Sequence, residues 1–256
     1  MKNTIELKID NNANWYKKWF DSTFYHQLYS NRSEKEATDF IDALIDELKP
    51  AADSTMLDLG CGAGRHAKWL SAKGFDVTGL DLAASSIQSA KKYEKTNLRF
   101  AKHDMRDPFG KNHFDYVFNF FTSFGYFKND EENHKVIRNI YHALKPGGTL
   151  VLDYLNVTWC EERSIAEETK EIDGIIYHIS RWTDEQFFYK KISIENMPSG
   201  QSEFIEQVAK FDLNAFDYMF ERNGLKLEKV YGDYQLNEYD SVASPRMILL
   251  AKKGYW

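Results

Sequence analysis

Apolar residues run through this chain in short groups, and the spacing within the groups changes twice. Between Ser33 and Leu48, the residues Phe40, Ile41, Leu44, Ile45 and Leu48 recur at three- and four-residue intervals. That period predicts a helix with one buried face. Ser33, with Glu36 three residues on, reads as a capping box, and Pro50 stops the helix. Ahead of it, Trp15, Tyr16, Trp19, Phe20, Phe24, Tyr25, Leu28 and Tyr29 make an aromatic helical segment over 15–29.

From Thr55 the groups shorten and alternate in kind. Met56, Leu57 and Leu59 make a short strand, and 75–80, 98–101, 116–120 and 149–154 make four more. Helical segments stand between them at 66–73, 84–92 and 131–144, the first ended by Gly74 and the last by the turn Lys145-Pro-Gly-Gly148. Strand–helix alternation of this kind predicts an α/β fold with a doubly wound, mostly parallel sheet. After Leu155 the texture changes again. Segments 175–181, 187–194 and 204–211 alternate apolar and polar residues, with Asp184-Glu185 as a turn. They predict an antiparallel β insertion. A helix at 214–222 and strands at 225–231 and 247–251 close the chain. The expected organisation is a helical lid over 1–52, a core over 53–156 and 212–256, and the insertion over 157–211.

Composition narrows the partners. The chain has 256 residues, 43% of them hydrophobic, which is enough for a sizeable core. A net charge of -6 leaves no basic stripe to neutralise phosphates, so nucleic acid is not the expected partner. Cys61 and Cys160 lie far apart and have no Cys-x-x-Cys companion, which suggests a reducing, cytoplasmic setting without zinc or disulfides. No apolar run has the length of a membrane span, and 1–10 is too polar for a signal peptide.

Three features should meet at the carboxyl ends of the strands, where doubly wound sheets bind ligands. The first is Gly60-Cys-Gly-Ala-Gly64, with Gly60 and Gly62 placed to let the backbone approach a ligand. A bare strand-to-helix turn needs only two glycines. The second is Asp81, at the end of the next strand. Its carboxylate can accept from both hydroxyls of a ribose, or cap the helix that follows. The third is His103-Asp-Met-Arg-Asp107, where Asp104 can accept from an exocyclic amine and Met105 can lie on a purine face. The third glycine of a dinucleotide fingerprint would stand at Arg65, and no P-loop lysine follows. The spacing therefore favours a nucleoside without a pyrophosphate over a nicotinamide cofactor.

On these residues the chain resembles the Rossmann-like S-adenosylmethionine-dependent methyltransferases. Asp58-Leu-Gly-Cys-Gly-Ala-Gly64 matches their first motif, Asp81 and Leu82 their ribose acid and the residue after it, Asp104-Met105 their adenine-side motif, and 144–150 the turn into their fifth strand. The resemblance implies seven strands, the last of them antiparallel, and S-adenosylmethionine as cofactor. It assigns Asp58, Gly60, Cys61, Gly62, Asp81, Leu82, Asp104 and Met105 to that cofactor. Asn119 and Phe120 fall at its amino-acid end, and Tyr29 aligns with a tyrosine near the methionine part. The insertion and Phe121-Thr-Ser-Phe-Gly-Tyr126 resemble small-molecule enzymes such as the N,N-dimethyltransferases of amino-deoxysugars. Some of those carry histidine where this chain has Tyr126.

The expectation is methyl transfer to an amine or hydroxyl of a small molecule, with Tyr126 orienting the nucleophile or packing as a core aromatic. His134 is a weaker candidate, on an exposed helix start. Asp153 and Tyr154 are expected on the substrate side, and Tyr177, Arg181, Trp182 and Arg246 near the determinants of substrate choice. The aromatic segment 15–29 would cover the cofactor, or its Trp15, Trp19 and Phe20 would cover the sheet or a second copy in a homodimer. A nicotinamide-dependent oxidoreductase and a catalytically silent cofactor-binding module are the alternatives.

Overall fold

The computed structural model describes residues 15–29, 34–195 and 202–254. Ser33, the expected helix cap, lies outside them. In a seven-stranded sheet, β1 (Thr55–Leu59) has β2 (Asp76–Asp81) and β3 (Leu98–Lys102) on one side. On the other side stand β4 (Phe114–Asn119) and β5 (Leu144–Leu155). Beyond them run β11 (Arg246–Lys253) and the edge strand β10 (Leu225–Tyr231), both antiparallel to their neighbours. The strand order reverses at β1, so the loops after β1 and β4 diverge and open a crevice at the carboxyl edge.

Alternate residues of each strand face opposite layers. Met56, Val77, Phe118, Ile248 and Leu250 pack under α3 (Glu34–Leu48) and α4 (Arg65–Ala72), through Phe40, Ile41, Leu44 and Leu70. Leu57, Val117, Leu150, Leu152 and Leu249 face the other way. They meet α6 (Asp130–Ala143) and α8 (Leu213–Arg222) through Val136, Ile140, Phe216 and Phe220. The remaining core helix, α5 (Ala84–Ala90), is shorter than its apolar pattern predicts, because 91–93 tightens into a 3-10 turn.

A second, antiparallel sheet follows β5 in sequence: β6 (Glu167–Ile172), β7 (Ile175–Thr183), β8 (Phe187–Ile194) and β9 (Glu203–Ala209), in that spatial order. Strand β6 and the short helix α7 (Val157–Arg163) carry no readable apolar pattern. The strand is a polar edge, and the helix buries none of its residues.

Two other expectations change. The aromatic segment is two helices, α1 (Trp15–Phe20) and α2 (Thr23–Leu28), not one. Ser22 breaks it: its hydroxyl accepts from Tyr25 N at 3.1 Å and donates to Trp19 O at 2.7 Å, ending one helix and capping the next. The turn Lys145-Pro-Gly-Gly148 belongs to β5. Leu144 already pairs with Phe114 and Thr149 with Tyr116, so the extra residues bulge out of the ladder between them.

Asp58 joins β1 to α4. Its side chain is fully buried, and Oδ2 accepts from Ala67 N at 3.2 Å in the first turn of the helix. Oδ1 has no hydrogen-bond partner among the described residues. Burial, more than this one donor, sets the acidity: the carboxyl is pushed up from 3.8 to about 7. The folded chain therefore holds a proton that the unfolded chain has released between those values. Stability falls as pH rises through that window and levels off above it. In scanning calorimetry of the ligand-free protein, the melting temperature should drop from pH 5 to pH 8. Asp58→Asn should flatten that drop, and an unchanged slope would assign the pH dependence elsewhere.

Candidate active site

The loops after β1, β2, β3 and β4 open on one cavity of about 540 Å³. The glycine turn forms its floor. Gly60, Gly62 and Gly64 take φ of +79°, +54° and +81°, values that suit glycine. Gly60 N and Cys61 N donate to Leu80 O at 2.7 and 3.0 Å, which pins the turn to the end of β2. A Cβ on Gly62 would meet nothing within 4 Å, so the turn presents bare backbone to open space. That cradle fits a ligand lying along the turn.

Asp81 sits on the cavity wall with Oδ2 accepting from Gly62 N at 2.7 Å and Oδ1 from Ala83 N at 2.8 Å. The two donors fix the carboxylate plane and join two walls. Burial still outweighs them and raises its pKa. Asp81 does not cap α5 directly, because Ala83 holds that position. Asp81 instead closes a turn before the helix, on the cavity lining.

Asp104 and Met105 stand beside Leu82 on the next stretch of wall. Arg106 grips Asp104 through Nε at 3.0 Å and Nη2 at 2.7 Å, and reaches Glu132 through Nη1 at 2.6 Å. Despite the cost of burial, these bonds hold the Asp104 carboxyl below its ordinary value. The carboxylate stays ionised, with lone pairs left to accept from a ligand.

The opposite wall is the segment after β4. Phe120, Phe121, Ser123 and Tyr126 line it. Tyr126 Oη donates to Thr122 O at 2.5 Å, and its ring meets Trp15 and Phe20 at centroid distances of 5.6 and 5.1 Å. The packing expected of this residue is met among these aromatics, and the residue also lines the cavity.

Helices α1 and α2 roof the cavity with Tyr16, Phe20, Tyr25, His26 and Tyr29. Their outer face buries Trp19 and Leu28 against Tyr177, Ile179, Ile192 and Phe204 of the second sheet. Glu206 accepts from Trp19 Nε1 at 2.6 Å and from Tyr29 Oη at 2.8 Å, with Lys190 donating to the same phenol. At the other end, Asp21 accepts from Ser85 N at 2.7 Å, and His26 Nε2 lies 3.1 Å from Ser85 Oγ. The roof is tied to the second sheet and to α5.

Tyr29, Gly60, Cys61, Gly62, Asp81, Leu82, Asp104, Met105, Phe120 and Tyr126 all meet at this cavity. Asp58 and Asn119 stand one layer behind its wall. Asn119 Nδ2 donates to Leu59 O at 2.8 Å and to Ser123 O at 3.3 Å, tying β1 to the loop after β4. Several other expectations need correction. Tyr154 is buried and donates to Ala209 O at 2.6 Å, and Asp153 is buried beneath the loop. His134 is half-buried, with Nδ1 2.9 Å from Asn223 Nδ2. Tyr177 donates to Gln27 at 2.7 Å, Arg181 pairs with Glu168 at 2.7 Å and Trp182 stacks on Tyr189. None of these is on the cavity wall. His66 and Phe121, which the sequence did not single out, do line it, with their rings stacked 5.2 Å apart. The hints were the place of His66, two residues past the glycine turn, and that of Phe121 at the start of the segment that ends in Tyr126.

Comparison with known proteins agrees with this geometry. Residues 56–148 match the family described as a methyltransferase domain. A Bacillus subtilis protein provisionally named methyltransferase YqeM is 24% identical over 91% of this chain and 96% of its own length. The Streptomyces venezuelae dTDP-3-amino-3,4,6-trideoxy-alpha-D-glucopyranose N,N-dimethyltransferase is 32% identical over 50% of this chain and 54% of its own. The crystal structure of an S-adenosylmethionine-dependent methyltransferase from Clostridium acetobutylicum superposes with a TM-score of 0.75 at 19% identity, covering 94% of this chain and all of that one. The glycine turn and the acids at the ends of β2 and β3 thus lie within the stretch that is similar to a methyltransferase domain, in a fold like that of an S-adenosylmethionine-dependent methyltransferase.

Proposed function

We propose that the protein methylates a small molecule at an amine or hydroxyl. One observation carries the reading: Tyr126 and the aromatic roof bound the same cavity as the glycine turn. A space of about 540 Å³ suits a cofactor with a small acceptor beside it. The likeness to an amino-deoxysugar N,N-dimethyltransferase favours an amine as the acceptor group. Free thiols at Cys61 and Cys160 agree with work in the reducing cytoplasm.

In this reading Gly60, Cys61 and Gly62 pass their backbone under the cofactor, and Asp81 accepts from its ribose hydroxyls. Leu82 and Met105 flank the adenine, and Asp104 accepts from its amino group. Phe120 and Tyr29 stand toward the amino-acid end. Asp58 and Asn119 act from behind, by holding α4 and the end of β1. Bound S-adenosylmethionine would supply a methyl group activated by its cationic sulfur, to an acceptor that brings the lone pair and afterwards sheds its proton to water. The protein's part is mainly positioning, because the methyl is already activated. Tyr126 gives its own proton to Thr122 O, so its oxygen acts as acceptor toward an N–H or O–H of the substrate. That hydrogen bond aims the nucleophile's lone pair. Helices α1 and α2 serve as a lid, and the second sheet shapes the acceptor space through them.

Calorimetry should detect S-adenosylhomocysteine binding to the wild-type protein and no binding of NADH; absence of the first would sink the reading. Asp81→Ala should weaken that binding by about 1.5–3 kcal/mol, the worth of a charge-assisted hydrogen bond. Unchanged affinity would remove the ribose role. Across a panel of amines, hydroxyls and carboxylates, Tyr126→Phe should slow methyl transfer to whichever acceptor reacts while cofactor affinity stays within about twofold. Equal turnover would leave Tyr126 as a packing residue. Cofactor binding without transfer to any acceptor would mark a silent binding module.

A further inference from the structure

The loop between β4 and α6 contains an unusual stretch of backbone. Phe121 and Thr122, neither of them glycine, follow one another in the left-handed region, with φ of 55° and 57°. Such a pair persists only where its surroundings impose it. Here the imposing groups lie on the sheet below. Asp153 of β5 is fully buried and accepts from Phe121 N at 2.8 Å through Oδ2. Its backbone carbonyl accepts from Thr122 N at 3.0 Å.

Arg246, at the start of β11, completes the frame. It donates to Asp153 Oδ1 through Nε at 2.8 Å and Nη2 at 2.6 Å, and Nη2 also reaches Thr122 Oγ1 at 2.9 Å. Tyr234 Oη adds a longer bond to Asp153 Oδ2, at 3.2 Å. The N–H, hydroxyl and carbonyl of Thr122 are thus all engaged, the last by Tyr126 Oη. None of Asp153, Arg246, Tyr234 and Thr122 is on the cavity wall. They act on it through Phe121 and Tyr126, which are. The Phe121 ring stacks on His66, with the Arg65 guanidinium 4.7 Å from its centroid.

Strand order says which part of a ligand this loop meets. With ribose at Asp81 on β2 and base at Asp104 beyond β3, the substituent on the ribose 5′ carbon runs the other way, across β1 to the end of β4. The segment 120–126 is there. We propose that Arg246 and Asp153 are positioning residues that impose the left-handed Phe121–Thr122 pair. They thereby hold Phe121 and Tyr126 against the amino-acid end of the cofactor and the acceptor. This inference rests on the cofactor reading above.

Two ligands separate it from a merely structural role. S-adenosylhomocysteine and 5′-methylthioadenosine share the nucleoside and the sulfur, and only the first carries the amino-acid end. In calorimetry, Arg246→Met should weaken S-adenosylhomocysteine binding about tenfold or more while methylthioadenosine binding changes less than about twofold. Arg246→Lys keeps the charge but loses the fork that spans Asp153 and Thr122, and should fall between Met and wild type. Thr122→Val leaves the buried ion pair intact and should show the same selective loss on a smaller scale. It decides the question if Arg246→Met does not fold. Equal losses for both ligands, or no loss for either, would overturn the proposal. Failure of the wild-type protein to bind either ligand would instead overturn the cofactor reading.

Discussion

The cavity exists because one turn of backbone comes very close to its neighbours. At Gly60 an added Cβ would sit 2.8 Å from Ser123 Cβ, and at Gly64 it would sit 2.5 Å from the Phe100 ring. The first approach draws the end of β1 against the loop after β4. The second seats the start of α4 against β3. With Gly60 N and Cys61 N bonded to Leu80 O, the turn is held from three sides. Positive φ at each of the three glycines then aims its open face, at Gly62, outward. A side chain at Gly60 or Gly64 would push apart the strand ends that form the site.

Charge follows from that geometry. Burial raises the pKa of both Asp58 and Asp81, and the charge of Asp81 raises that of Asp58 further. Asp104, a short way along the wall, is driven the opposite way by its bonds to Arg106. Similar residue types at the ends of adjacent strands therefore differ in behaviour. Asp104 is an ionised acceptor locked by its own cation, Asp81 faces the cavity through two backbone donors, and Asp58 is a buried link between strand and helix.

The roof shows how the two sheets cooperate. Trp19 on α1 is fully buried in the second sheet, while Tyr16 of the same helix packs in the main core. The six residues of α1 are too few to hold a helix by themselves, so this two-sided burial supplies its stability. Covering a sheet and covering a cavity were competing readings of the aromatic segment. The structure makes them one arrangement, since the outer face of the helices grips β8 and β9 while the inner face closes the site.

Much of this was legible in the linear chain. The order of strands and helices through 55–154, the glycine turn and the acids at 81 and 104 are local patterns, set by residue period and by the stereochemistry of glycine. Ser22 as a helix break and the polar edge strand β6 were not legible, since a hydroxyl's hydrogen bonds and an exposed edge leave no apolar signature. Nor were the roles of Arg246, Asp153 and Phe121. Arg246 and Asp153 are 93 residues apart and meet only because β11 inserts beside β5. The sequence by itself determined the α/β fold class and the glycine-and-acid pattern of a nucleoside site, because both are written in residue period and in the stereochemistry of glycine. Tertiary structure alone decided which aromatics roof the cavity, which carboxylates are ionised and what holds the loop carrying Tyr126. Burial and pairing across the sheet are properties of the folded packing, which local spacing does not encode.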